Sequence, residues 1–182
     1  MAWLLIHGRE GVAKDRDKAF ELVAAGARSG CHHCQGVLAI CYKGSVGYGC
    51  EPNEARSLQL ALASSGKGSR YGQHALGLLY SNGQGGLAQD YTQASAWYRL
   101  AAVQGLDWAQ CQLGCHYSNG VGGVDQDHAE ALRLFQLAAA QGDPGALYRV
   151  AASLRQEAIR LYRRALAGGC LHAADALQHM RA

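Results

Sequence analysis

The chain has 182 residues, of which 49% are hydrophobic and 17% charged, with a formal net charge of +3; it can bury a core and is not a disordered tail. Its basic residues form no stripe, the densest group being Arg160, Arg163 and Arg164, which argues against nucleic acid as a partner, and no run approaches the roughly 20 apolar residues of a membrane span. Glycine is abundant (24) and proline rare (2), a composition that fits many helix ends and tight turns rather than a linker.

Taken in order, the chain opens on Ala2-Trp3-Leu4-Leu5-Ile6, too short and without the basic flank of a signal peptide. Seven cysteines, an odd number, do not suit a fully paired secreted scaffold. Both features favour the cytoplasm and free, mostly buried thiols. The start lies inside a structural unit, with Leu5 and Gly8 at places filled later by a tyrosine and a glycine. Trp3, Leu4 and Leu5 are then expected to pack on an upstream helix, as in a piece of a longer protein.

From Ala19 onward a pattern repeats. An alanine precedes a glycine by eleven residues five times: Ala19 and Gly30, Ala55 and Gly66, Ala94 and Gly105, Ala131 and Gly142, Ala158 and Gly169. Apolar or small residues follow each alanine at three, four, seven and eight, with Gln59 the exception, which puts one stripe on a helix. Its aromatics, Trp97, Tyr98, Phe135 and Tyr162, are expected in the core. Asp15, Glu51, Asp90 and Asp127 stand four before the alanine, where a carboxylate caps the first turn. Asp127 with Glu130 has the form of a capping box, and Pro52 falls on a first helical position. The closing glycine is free to take the left-handed conformation.

A second type of helix precedes each loop, best seen in Leu76-Gly77-Leu-Leu-Tyr80 and Ala109-Gln-Cys-Gln-Leu113-Gly114-Cys-His-Tyr117. Gly77 and Gly114 allow close approach of another helix. Asn82-Gly83 and Asn119-Gly120 then read as helix C-caps rather than hairpin turns. The loop from Gly44 to Gly49 is irregular. In the last unit Leu154 runs almost directly into Ala158, which predicts a tight helix turn or one kinked continuous helix.

Leu-Gly, Tyr, Gly-x-Gly-Gly-Val/Leu, Asp, Ala, Trp-Tyr, Ala-Ala and Gln-Gly, in that order and strongest over Leu76 to Gly142, resemble the Sel-1-like repeat, a relative of the tetratricopeptide repeat. The resemblance implies an all-α, right-handed α-solenoid of antiparallel two-helix repeats. We expect four to five repeats, incomplete at both ends, with approximate units 1–30, 31–66, 67–105, 106–142 and 143–169 and a half unit 170–182. It also implies a non-catalytic scaffold or adaptor that binds a peptide or partner protein on the concave, first-helix face. Gln73, His74, Gln112, His116 and Arg149 are the residues expected to meet that partner; no cofactor and no metal are expected.

Other chemistry is weighed against this reading. Gly83-Gln-Gly-Gly86 and Gly120-Val-Gly-Gly123 lack the strand, lysine and Ser/Thr of a phosphate loop. Cys31-His32-His33-Cys34 at a helix start is the alternative site, for a metal or for thiol redox chemistry. Against it, Cys34 aligns with the small residues Ala109, Ala146 and Ala173. Cys111 and Cys115 lie one turn apart, opposite Leu113 and Tyr117, on a next-repeat contact or an exposed face. Cysteine-rich, hydrolase-type members of the family tie each helix pair by a disulfide. The partner place of Cys34 falls near Ala27, so that scheme is not carried over.

Overall fold

In a computed structural model, residues 15–44, 50–170 and 172–180 are described; the segment around Leu5 and Gly8 and the loop residues 45–49 lie outside them. Among the described residues there are nine helices and no strand: α1 Arg16–Arg28, α2 His32–Tyr42, α3 Glu54–Ser65, α4 Arg70–Asn82, α5 Tyr91–Val103, α6 Asp107–Asn119, α7 His128–Ala140, α8 Pro144–Ala167 and α9 His172–His179. Each packs on the next along the chain, and α2 also packs on α4. The result is an all-α repeat solenoid. None of these helices is long and apolar enough to cross a membrane.

The second helices α1, α3, α5 and α7 begin alike. Asp15 accepts from the Lys18 amide, Asp90 from Thr92 and Gln93, and Asp127 from Ala129 and Glu130. In the second unit the cap is Asn53, which accepts from the Arg56 amide at 2.9 Å. Glu51 and Pro52 lie before the helix, so they do not hold the cap and first-turn places expected of them. The closing turn shifts with the cap. Gly66 is right-handed at φ −60°, and the left-handed residue is Gly68 at φ 76°.

The shift has a simple cause. Four residues after each cap comes a fully buried small side chain: Ala19, Ser57, Ala94 and Ala131. In the second unit that residue is a serine, whose hydroxyl donates to the Ala39 carbonyl at 2.7 Å. A buried hydroxyl with a partner costs little, so serine replaces alanine at that place. Ala55, which resembles the anchor in sequence, is exposed.

Val23, Ala61, Tyr98 and Phe135 follow four residues further on and are all buried. Tyr98 and Phe135 fill space that glycines leave open. A Cβ on Gly77 would meet the Tyr98 ring at 2.4 Å, and one on Gly114 the Phe135 ring at 2.7 Å. The backbones of α4 and α5, and of α6 and α7, therefore approach over an aromatic face. Gly83 and Gly120 close their helices in the left-handed conformation, as the Asn-Gly reading requires.

Polar groups also repeat. The amides of Asn53, Asp90 and Asp127 donate to the carbonyls of Tyr42, Tyr80 and Tyr117 at 2.8 to 2.9 Å. Gln104 donates its side-chain amide to Gln73 Oε1 at 2.7 Å, and Gln141 does the same to Gln110 at 2.9 Å. The capping box is only half made. Glu130 holds Arg133 through two bonds of 2.7 Å instead of reaching back to Asp127.

The fifth unit departs from the pattern. Pro144 to Ala167 form one continuous helix, capped by Asp143 at the Ala146 amide. Ala146 is its buried residue, while Leu154, Leu161 and Tyr162 remain exposed. The core place expected for Tyr162 is not found. With the loop before Ala158 missing, the helix cannot fold back to bury that stripe.

Candidate functional site

The first helices α4 and α6 and the start of α8 carry the expected partner residues. Gln73 is buried and engaged by Gln104. His74 is buried at 2% exposure, between the rings of Tyr98 (5.8 Å) and Trp108 (5.7 Å), and neither ring nitrogen has a hydrogen-bond partner. Burial, with Lys43 adding to it, holds its pKa down to about 3. His74 is therefore a neutral packing residue at ordinary pH.

His116 is also interior. Its Nδ1 lies 2.6 Å from the buried hydroxyl of Ser95, and its ring packs edge-on against Tyr91 and Tyr98. A serine–histidine contact is the start of a nucleophilic site. Here Gly122, at φ 75°, seals it: a Cβ there would lie 2.1 Å from Ser95 Oγ and 2.8 Å from His116 Nδ1. Burial lowers the His116 pKa. The glycines of the loop thus hold unit against unit, and Gly85 has the same role against Glu54 and Leu58.

Gln112 is half-buried and Arg149 exposed. Arg149 lies over the Phe135 ring at 5.7 Å. Of the five residues, these two open to solvent. Sequence reasoning passed over the row beside them. His33, Tyr71 and Trp108 occupy one repeat position, two residues after each of Cys31, Ser69 and Leu106. His33 and Tyr71 meet edge-on at 5.9 Å, and Arg70 sits over Tyr71 at 5.2 Å. Alignment by the cap of each first helix reveals that row.

The cysteine cluster proves mainly local. Cys31 caps α2, its Sγ accepting the Cys34 amide at 3.4 Å. Those amide hydrogens lower the Cys31 pKa, while burial pushes Cys34 up to about 11. Cys34 packs into the gap left by Gly26, where a Cβ would lie 2.5 Å from its sulfur. His33 Nδ1 is 3.0 Å from Ser69 Oγ. Among the described residues no group of three or more His, Cys, Asp or Glu side chains could hold a metal ion.

Away from the first-helix row, a groove of about 840 Å³ opens between α1, α2 and α3, lined by Phe20, Leu38, Tyr42 and Leu60 with Arg28 and Arg56.

The chain matches the family model of the Sel1 repeat over residues 1–31, 70–106, 109–143 and 150–170, more than half its length. The unmatched stretch includes the unit in which serine replaces the anchoring alanine. Among curated proteins no sequence matches. Similar solved structures include the following two. A Sel1 repeat protein from Oxalobacter formigenes is 24% identical with a TM-score of 0.60, over 94% of this chain and 72% of that one. The protein c5321, a protective antigen of uropathogenic Escherichia coli strains displaying an SLR fold, is 26% identical with a TM-score of 0.50, over 98% of this chain and 47% of that one. The chain belongs to the Sel1 repeat family.

Proposed function

We propose that the chain is a non-catalytic scaffold that binds a peptide or a partner protein along the face its first helices share. The observation that carries this reading is the aligned row His33, Tyr71 and Trp108, with Gln112 and Arg149 beside it. Aromatic and arginine side chains give large contact area at small entropic cost and dominate interface energies. The units repeat that row at a fixed spacing, which suits an extended or helical ligand. Gln73, His74 and His116 support the row from within. With a formal net charge of +3 and no basic stripe, a protein partner fits better than a nucleic acid.

A peptide library selected on the immobilised chain tests this. Trp108→Ala and Arg149→Ala should each weaken the selected peptides by about tenfold or more. Leu60→Ser, in the groove on the second-helix side, should leave them unchanged. Peptides that respond to Leu60 and not to Trp108 would place binding on the other face. Turnover of a substrate by the purified chain, with no saturable peptide binding, would end the scaffold reading.

A further inference from the structure

We propose that α8 pairs antiparallel with α8 of a second copy of this chain, each copy supplying the second helix that the other lacks. In the third and fourth units the first helix is covered by its own second helix, which folds back through the loops 83–90 and 120–127. The places that meet this cover stand four, eight and eleven residues after the caps Ser69 and Leu106. They hold Gln73, Gly77 and Tyr80, then Gln110, Gly114 and Tyr117. Gln104 donates to Gln73, a Cβ on Gly77 would strike Tyr98, and the Tyr80 carbonyl accepts from the Asp90 amide. Counted from Asp143, the same places on α8 are Leu147, Ala151 and Leu154, and all three are exposed. No loop precedes Ala158, so nothing in the chain folds back over them.

The cover that this surface requires is carried on the same helix. Leu161 and Tyr162 stand where Trp97 and Tyr98 stand in the third unit, and Leu134 and Phe135 in the fourth. Tyr98, Leu134 and Phe135 are buried, whereas Leu161 and Tyr162 are exposed. One straight helix cannot lay its second half on its first, but two copies related by a twofold axis can, each half meeting the other copy's complement. A hinge too short to close favours such an exchange. The contacts Gly77 with Tyr98 and Gly114 with Phe135 set the register. They place Ala151 against Tyr162 of the second copy, Leu154 against Ala158 and Leu147 against Ala165, a large side chain on a small one at each level. Leu147, Leu154 and Leu161 are seven residues apart, as are Ala151, Ala158 and Ala165, the period on which paired helices supercoil. Leu147, Tyr148, Leu154, Leu161, Tyr162 and Leu166 are 37 to 76% exposed. Together they bury on the order of 700 Å² per copy, near the roughly 800 Å² per partner of a stable interface.

The test is light scattering of the purified chain during size-exclusion chromatography, over a range of concentrations. Wild type should elute as a dimer. Leu154→Glu and Leu161→Glu alter side chains already exposed in the single chain, so helical circular dichroism should persist. Each should raise the dimer dissociation constant by about thirtyfold or more. Arg163→Glu, on the opposite side of α8, should leave the dimer intact. A further variant inserts a copy of the loop 83–90 after Leu154. It lets the second half of α8 fold back within one chain, and should give a monomer with undiminished helix content. Wild type that stays monomeric at every concentration would overturn the pairing and leave this face to a helix of another protein. A dimer that persists in Leu154→Glu, or after the loop is inserted, would overturn it too.

Discussion

Lys67→Gln should stabilise this protein by completing a polar clasp that two other units already make. The clasp joins the first helix of a unit to the end of its second helix. Gln73 receives a side-chain hydrogen bond from Gln104, and Gln110 from Gln141. Both donors precede a left-handed glycine, Gly105 at φ 78° and Gly142 at φ 84°. In the second unit the acceptor is present as Gln35, but its buried Oε1 has no partner. The residue before the left-handed Gly68 is Lys67, exposed to solvent. The turn itself is the same: Gly68, Gly105 and Gly142 donate to Ser65, Ala102 and Ala139 at 2.8 to 2.9 Å. A glutamine at 67 is therefore delivered to the place of Gln104 and Gln141. A hydrogen bond adds about 1 kcal/mol net, and relief of a buried unsatisfied carbonyl adds about 1 to 3 more. Ordering the side chain costs up to about 2 kcal/mol. The net expectation is about 1 kcal/mol, or roughly 2 to 4 °C in a chain of this size. The assay is thermal and urea unfolding of wild type, Lys67→Gln, Gln35→Ala and the double variant. The gain should vanish in the Gln35→Ala background, giving a coupling near 1 kcal/mol. A gain that persists without Gln35 would show that loss of the lysine acts by itself and would refute the clasp.

Further substitutions probe the same packing. Gly114→Ala drives a Cβ into the Phe135 ring and should cost about 1 to 3 kcal/mol in unfolding experiments. Asn53→Ala should cost about 1 kcal/mol as a lost cap, whereas Glu51→Ala should change the melting point little, since Glu51 lies outside α3. His74 gives a pH signature. Folded, its pKa is held near 3 by burial, while in the unfolded chain it titrates near ~6.5. Between these values the unfolded state binds the extra proton, so stability falls on acidification below about pH 6.5, by up to about 1.4 kcal/mol per pH unit. His74→Leu should flatten that slope in urea titrations from pH 7 to pH 4.5. An unchanged slope would mean that His74 is hydrated in solution.

The repeat was legible because its strongest constraints are local. A cap, a buried small residue four positions on and a closing left-handed glycine are imposed on each unit by helix geometry and close packing. Three of the four caps, at Asp15, Asp90 and Asp127, follow from spacing alone. The fourth cap is Asn53, two residues after the Glu51 to which spacing points. Ala55 imitates the anchor in composition, while Ser57 meets the same steric demand by hydrogen-bonding to Ala39. Chemistry that depends on a partner distant in sequence leaves a periodic trace that does not name the partner. The glutamine clasp spans 31 residues, and nothing in either glutamine alone announces it.

The open side of the first helices is harder to read from sequence for a related reason. A helical wheel sorts a first helix into a packed and an open side, but a stacked repeat covers it from two directions. Its own second helix covers one side: Tyr98 lies on Gly77 and Phe135 on Gly114. The next unit covers another. Gly36, His74 and Cys111 share one repeat position, and each faces the following first helix. Gly36 lets Gly72 come into backbone contact. At His74 the space is filled by Trp108, and Cys111 lies within the field of Arg149. The size of this one residue sets what the junction contains. A glycine closes it, a histidine fills it without hydrogen-bonding, and a cysteine leaves it partly open. The position at which His74 was expected to meet a partner is the variable spacer between units. His33, Tyr71 and Trp108 stand three residues earlier on the same helices and are exposed or half-buried.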